Sequence, residues 1–136
     1  MFLVDTNVVS ELRRTERAHP AVVAWAARTN PDSMWLSAVT LFELELGAKR
    51  LAHRDAAQGF QILAWIDQSV LPAFRGRIIP FDATMARRCA ALHVPNPRPE
   101  RDAMIAATAL TRDLTVVTRN VADFEPMGVR LLNPWL

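Results

Sequence analysis

Within the first five residues an apolar run, Met1-Phe2-Leu3-Val4, stops on a carboxylate, Asp5, with Thr6 and Asn7 directly behind it. A run so short and so apolar lacks the polar alternation of a strand with one wet face. It reads as a strand buried on both sides, the kind found in parallel sheets. Parallel strands need helical crossovers, and open α/β sheets bind ligands at the carboxyl ends of their strands. Asp5 stands at such an end. The other acidic residues matter according to whether the fold can bring them to it.

The rest of the chain alternates in a way that suits this reading. Thr6 or Asn7 can cap a helix running to Arg13, which ends in arginines as the helix dipole prefers. Pro20 opens a second helix over 20–28, and a turn cluster over 30–33 closes it. Met34-Trp35-Leu36 reads as a strand, and Ser37 as the cap of a third helix over 38–51. A fourth helix is expected over 55–74, burying Phe60, Leu63, Ile66, Val70 and Phe74 on one face, with Pro72 kinking its last turn. Residues 77–81 form a third strand, and Asp82 caps a helix that turns Met85, Cys89 and Leu92 inward. Prolines at 95, 97 and 99 force a loop, after which a helix covers 100–112. Strands are expected over 114–118 and 129–132. Strands alternating with helices, without hairpin signals, specify an α/β fold with a central parallel sheet and helices on both faces.

At 136 residues the chain fits a single domain, 1–136, able to bury roughly two-thirds of its unfolded surface without disulfides. A hydrophobic content of 51% excludes a disordered chain. No run approaches the roughly 18 apolar residues of a membrane span. The N-terminus has no basic region ahead of its apolar stretch, and Cys89 has no partner for an internal bridge, so the cytoplasm is the expected compartment. Cys89 itself reads as a core thiol. Net charge is only +2, but of the 16 basic residues all except Lys49 are arginines, whose forked guanidinium suits phosphate. A nucleic acid partner fits this composition. So does a genome that favours arginine codons.

The third helix is the most informative segment. Turning about 100° per residue from Val39, Val39, Phe42 and Leu46 make one apolar sector, and Leu41, Leu44, Ala48 and Leu51 a second. One polar gap holds Glu45 and Lys49, spaced as a solvated i,i+4 pair. The other holds Glu43, flanked by Thr40, Gly47 and Arg50. A carboxylate between two apolar sectors, with a glycine one turn on to leave room, is more than solubility needs; the plain alternative is an ion pair with Arg50. Asp102 lies in the first turn of its helix, with Ala106 and Ala109 on the same face to allow close approach to the sheet; its plain alternative is a cap. Asp123 follows the strand over 114–118 in a loop, where a turn role is the alternative. Four elements thus supply Asp5, Glu43, Asp102 and Asp123. Gathered carboxylates repel unless some protonate or a cation sits among them. Oxygen donors alone select Mg²⁺ or Mn²⁺ over zinc. His19, His53 and His93 lack metal-ligand spacing and read as surface residues.

Four stretches carry a family resemblance. Leu3-Val4-Asp5-Thr6-Asn7-Val8-Val9-Ser10, then Leu36-Ser37-Ala38-Val39-Thr40 through Glu43-Leu44 to Gly47, come first. Asp102-Ala103-Met104-Ile105-Ala106-Ala107-Thr108-Ala109 and Val117-Thr118-Arg119-Asn120 with Asp123-Phe124 follow. In this order they resemble the PIN-domain ribonucleases, and within them the VapC and FitB toxins of bacterial toxin–antitoxin pairs. Asn133-Pro134-Trp135 and the segment from Leu71-Pro72 to Pro80-Phe81 are similar to the FitB branch. The resemblance implies a three-layer α/β/α PIN-like fold and an endoribonuclease that uses Mg²⁺ (or Mn²⁺) to cleave RNA. It also implies a cognate antitoxin as inhibitor and a homodimer. Carried over by residue, Asp5, Glu43 and Asp102 match the core acidic positions and are the expected metal ligands. For the fourth, some relatives carry an acid where this chain has Asn120 and others at the position of Asp123. We take Asp123, with Asn7, Thr118 and Asn120 in support. Arg98, Arg101 and Arg119 are the expected grips on the RNA backbone. Trp25 and Trp65 could serve a dimer contact, although core packing explains each as well.

Two other functions compete. A phosphohydrolase or phosphoacceptor also sets an Asp after its first strand, but wants a second nearby acid and a late lysine. Here Thr6 and Asn7 follow Asp5, and Lys49 lies on a solvated face. The second is non-enzymatic: a metal-binding partner of a DNA-binding antitoxin in transcriptional repression.

Overall fold

The computed structural model describes residues 1–136. Its strands are β1 (Phe2–Val4), β2 (Met34–Ser37), β3 (Ile78–Ile79), β4 (Thr115–Val117) and β5 (Leu131–Leu132). They form one sheet in the order β3-β2-β1-β4-β5, and every neighbouring pair is parallel. The chain adds β2 and β3 on one side of β1 and then crosses to lay β4 and β5 on the other. The order therefore reverses between β1 and β4, and a crevice at the carboxyl ends of those two strands is where such sheets bind ligands. Asp5 follows β1 and Thr118 follows β4, so both lie at that crevice.

The helices are α1 (Thr6–Glu11), α2 (Pro20–Arg28), α3 (Ala38–Arg54), α4 (Ala56–Trp65), α5 (Leu71–Ala73), α6 (Ala83–Leu92), α7 (Glu100–Arg112) and α8 (Val121–Phe124). Alternation along the strands divides them into two layers. Leu3 and Val116 pack on one face with Met85, Cys89, Ala103, Ala107 and Phe124. Val4 and Val117 pack on the other with Val8, Val22, Trp25, Leu44 and Ile66. This is the three-layer α/β/α arrangement. On α7, Ala103, Ala106, Ala107 and Ala109 are at most 1% exposed, so this helix lies close to its neighbours, and enlarging one of these alanines would cost about 1–3 kcal/mol of overpacking. No helix is long and apolar enough to cross a membrane.

Local chemistry sets most boundaries. Ser37 Oγ accepts from the Val39 amide at 3.0 Å and Asp82 Oδ1 from Met85 at 3.0 Å, as the sequence predicts. Glu45 and Lys49 pair at 3.9 Å on a wet face, also as expected. The cap of α1, however, is Asp5 and not Thr6 or Asn7, and α1 ends at Glu11 where Arg13 was expected. Strands β3, β4 and β5 are shorter than the apolar runs that contain them. The expected helix over 55–74 breaks into α4, a π-helical turn (Ile66–Val70) and α5, because Pro72 offers no amide to the preceding turn. Phe60 was expected on its buried face but is 62% exposed. Gly59 instead faces α3 so closely that an added Cβ would sit 2.3 Å from the Ala52 backbone. Phe42, placed by the helical wheel in an apolar sector, is 53% exposed, whereas Trp25 is buried edge-on against Phe2, which removes it as a dimer contact.

Candidate active site

Asp5 is 3% exposed, yet both of its oxygens are occupied. Oδ1 accepts from the Thr6 amide at 2.8 Å, and Oδ2 from the Thr118 hydroxyl at 2.8 Å and from Asn7 Nδ2 at 3.4 Å. The Thr118 hydroxyl also accepts from Asn7 Nδ2 at 3.2 Å and from the Asn120 amide at 3.0 Å. Asn7 Oδ1 in turn accepts from the Arg119 amide at 3.3 Å. This network ties the start of α1 to the end of β4 and fixes one rotamer of Asp5. Burial pushes the Asp5 carboxyl above the usual carboxylate range; the hydrogen bonds from Thr118 and Thr6 oppose that rise and the charge of Glu43 adds to it. Asn7 and Thr118 therefore meet Asp5 through their side chains. Asn120 makes no hydrogen bond to Asp5; its backbone amide supports the Thr118 hydroxyl.

Glu43 projects from α3 toward the same crevice. Its Oε1 accepts from the Thr6 hydroxyl at 2.8 Å, and its Oε2 lies 3.7 Å from Arg101 Nη1. Arg50, the ion-pair partner that the plain alternative required, takes no part. The gap beside Glu43 is real: a Cβ built on Gly47 meets nothing within 4 Å, and the two residues line one concavity with Thr6, Ser10 and Arg13. Thr6 was read from sequence only as a cap. Its use here, bridging α1 to Glu43 and, at 3.4 Å, to the Thr40 hydroxyl, left no signal beyond adjacency to Asp5.

Asp102 and Asp123 complete the acidic set in a different manner. Pro99 is the N-cap of α7, so Asp102 is no cap, and its carboxylate has no side-chain hydrogen bond. Asp123 is exposed on α8, a short helix where a loop was expected. Burial, followed by the charges of Asp5, Asp123 and Glu43, pushes Asp102 up to about 6. All four acids thus share one electrostatic field, and only Glu43 has a cation within ion-pair distance. No three of them converge to ligand distance as they stand. An excess of negative, oxygen-only donors around a half-buried carboxyl fits a hard divalent cation.

The three arginines expected to grip RNA behave differently from one another. Arg101 is engaged with Glu43 and lies 5.1 Å above the Phe42 ring. Arg119 lies 5.2 Å over Trp135, at the rim beside Asn7. Arg98 belongs to the proline-rich loop, where its amide donates to His93 Nδ1 at 3.1 Å and its Nε is buried without a partner. His93 is therefore a loop anchor and not a plain surface residue. Cys89 is buried, and burial raises its thiol further from ionisation, as befits a core residue.

Known proteins share the sequence and the fold. The PIN domain family model matches residues 2–125. Toxin FitB of Neisseria gonorrhoeae is 38% identical over 141 residues, covering 99% of each chain. VapC ribonuclease Y4jK of Sinorhizobium fredii is 35% identical over 140 residues, covering 99% of this chain and 98% of that one. The solved structure of FitAB bound to an IR36 DNA fragment superposes with a TM-score of 0.89 at 35% identity, over 100% of this chain and 96% of that one. The chain belongs to the PIN domain family, among its VapC and FitB ribonuclease toxins of toxin–antitoxin pairs.

Proposed function

We propose that residues 1–136 act as one PIN domain, a cytoplasmic endoribonuclease that hydrolyses RNA phosphodiester bonds with Mg²⁺ or Mn²⁺ and is silenced by a cognate antitoxin. The observation that carries this reading is the gathering of four acids around a half-buried carboxyl: burial first, and then the charges of Asp5, Asp123 and Glu43, lift Asp102 to about 6, and the ion pair of Arg101 with Glu43 is the one cation contact the four acids have. Asp5, Glu43, Asp102 and Asp123 would hold the ion. When bound, it supplies neutralisation of phosphate charge and a more acidic water. Asp5 is fixed beforehand by Thr118, Asn7 and the Thr6 amide, so its orientation costs little at the moment of reaction. Glu43, steadied by the Thr6 hydroxyl, is the group to orient a water and accept its proton. Asp102, which keeps its proton up to about pH 6 in the metal-free protein, would have to be ionised to hold the ion. Arg101 and Arg119 flank the crevice as cations for the RNA backbone.

Purified chain is expected to cleave RNA with Mg²⁺ or Mn²⁺ and to stop in excess chelator, and Asp102→Asn to be inactive while folded. Equal cleavage by that folded variant, or in chelator, would overturn the reading. A homodimer is proposed alongside, to be read by sedimentation.

The second reading, a largely non-enzymatic metal-binding partner of a DNA-binding antitoxin in repression, draws on the FitAB relative having been solved on DNA. RNA cleavage by the chain without any antitoxin separates the two.

A further inference from the structure

A groove leads away from Glu43 between α1 and α3. A concavity of about 220 Å³ is walled by Thr6, Ser10, Arg13, Glu43 and Gly47, with Trp65 across from them. A second, of about 240 Å³, adjoins it: Ser10 and Arg13 line both, and Arg14 and Arg17 form the far wall beside Glu11. The shared residues make the two continuous. Backbone turns after α1, from Arg13 to Ser10 at 3.2 Å and from Arg17 to Arg14 at 3.0 Å, hold the three arginines together.

Arg13, Arg14 and Arg17 enter none of the chain's ion pairs, which use Lys49, Arg77, Arg101 and Arg130. Glu11 and Glu16 are the acids of this stretch, and neither is within ion-pair distance of them. One cation would satisfy the carboxyl end of a helix as short as α1; three exceed that need. Gly47 adds an independent sign. An exposed helical glycine costs about 1 kcal/mol relative to alanine, and nothing in the packing requires it, since an added Cβ meets no atom within 4 Å. What the missing side chain does is leave the groove floor open.

We propose that this groove is the track of single-stranded RNA on one side of the cleaved bond, with Arg13, Arg14 and Arg17 taking backbone phosphates and Trp65 offering a base a surface to lie against. The proposal rests on the RNA-hydrolysing reading above and extends it to a part of the surface outside the acidic site. Guanidinium groups beside an aromatic wall are the combination that binds single strands without sequence preference. A duplex would keep its base faces stacked away from Trp65.

The test is fluorescence anisotropy of a labelled single strand of about 12 nucleotides, in chelator, across a salt series. Full-length wild type is compared with Arg13→Gln/Arg14→Gln/Arg17→Gln and with a charge-matched control, Arg75→Gln/Arg87→Gln/Arg88→Gln, on exposed sites elsewhere. Losing three phosphate contacts is expected to flatten the slope of log affinity against log salt by about 2, and to weaken binding roughly tenfold or more at low salt. The control triple keeps the wild-type slope. Gly47→Leu, whose Cβ meets no atom within 4 Å and whose side chain narrows the groove, is expected to weaken binding while the melting temperature does not fall. Equal slopes for the two triples, or wild-type binding by Gly47→Leu, would overturn the track alone. No binding by wild type would overturn the RNA reading as well. Unchanged RNA binding with lost capture of a poly-glutamate peptide would assign the arginines to an acidic protein segment instead, and overturn the track.

Discussion

The two halves of the acidic site are built in opposite ways. Around Asp5, every oxygen has a donor and the donors have donors of their own: Thr118, Asn7, and the amides of Thr6, Asn120 and Arg119. Around Asp102 there is charge and partial burial, Asp123 is exposed, and neither has a side-chain partner. A buried carboxylate without hydrogen bonds is costly, and its neighbours make it costlier. The contrast separates what folding supplies from what a ligand must supply. The Asp5 half is organised by the chain itself, and the Asp102 half is left in a state that a cation would relieve.

Four substitutions probe this contrast, from the largest effect down. Asp5→Asn keeps the shape and the amide contact to Thr6 but loses the charge; RNA cleavage should fall by about 10³-fold or more, with circular dichroism unchanged. Activity within tenfold of wild type would mean that Asp5 is only a cap. Thr118→Val, nearly isosteric at a fully buried position, strips Asp5 of one of its donors, leaves the Asn120 amide unmet and leaves Asn7 Nδ2 with only its longer contact to Asp5. A loss of about 1–3 kcal/mol in urea unfolding and roughly 10–100-fold in Mn²⁺ affinity is expected. Stability loss without any change in Mn²⁺ affinity would show that the network serves folding alone.

The third probe uses pH on the metal-free protein. Asp102 holds its proton more tightly folded, at about 6, than at its ordinary value of 3.8. The folded state therefore binds the extra proton between those values, and stability is greatest below them and declines as pH rises through about 6. Asp102→Asn removes this penalty. In chelator at pH 7.5 the variant should be more stable than wild type by roughly 1 kcal/mol, after allowing for a half-exposed carboxyl, and the gap should close at pH 4. Saturating Mg²⁺ should reverse the order, because only wild type gains from binding. The smallest effect belongs to Arg101→Met, which cuts a part-exposed pair with Glu43 worth at most about 1 kcal/mol. Its informative readout is Mn²⁺ affinity, expected to rise a few-fold as a competing cation leaves the site. Weaker binding would show that Arg101 supports the site instead.

How far the sequence could be read follows from how local each cause is. Caps at Ser37 and Asp82 were legible because a side chain and an amide two or three residues on decide them. Asp5 was legible as a strand-end acid, and Glu43 as a carboxylate in an uncrowded gap, since helical phase alone puts Gly47 beside it. Asp102 and Asp123 gained their meaning from the family motif; their own surroundings show only an acid near small residues and an acid after a strand. Phe42 and Phe60 were misplaced for a physical reason. A helical wheel shows which residues share a face but not which neighbour covers it. On α4 the close approach of Gly59 to Ala52 sets the rotation, and the π-helical turn shifts the phase beyond Trp65. The groove from Glu43 to Arg17 was invisible as well, because Thr6, Ser10 and Arg13 read as ordinary helix residues until α3 lies across them.

The most direct test is calorimetric titration of Mn²⁺ into the metal-free wild type and Asp102→Asn at pH 6, in two buffers of different ionisation enthalpy. Binding that needs a deprotonated ligand releases protons, so wild type should bind with a heat that depends on the buffer, reflecting a proton leaving Asp102. The variant should bind at least roughly tenfold more weakly and without that dependence. Equal affinity in both proteins, with no proton released by wild type, would contradict a cation site shared by Asp5, Glu43, Asp102 and Asp123.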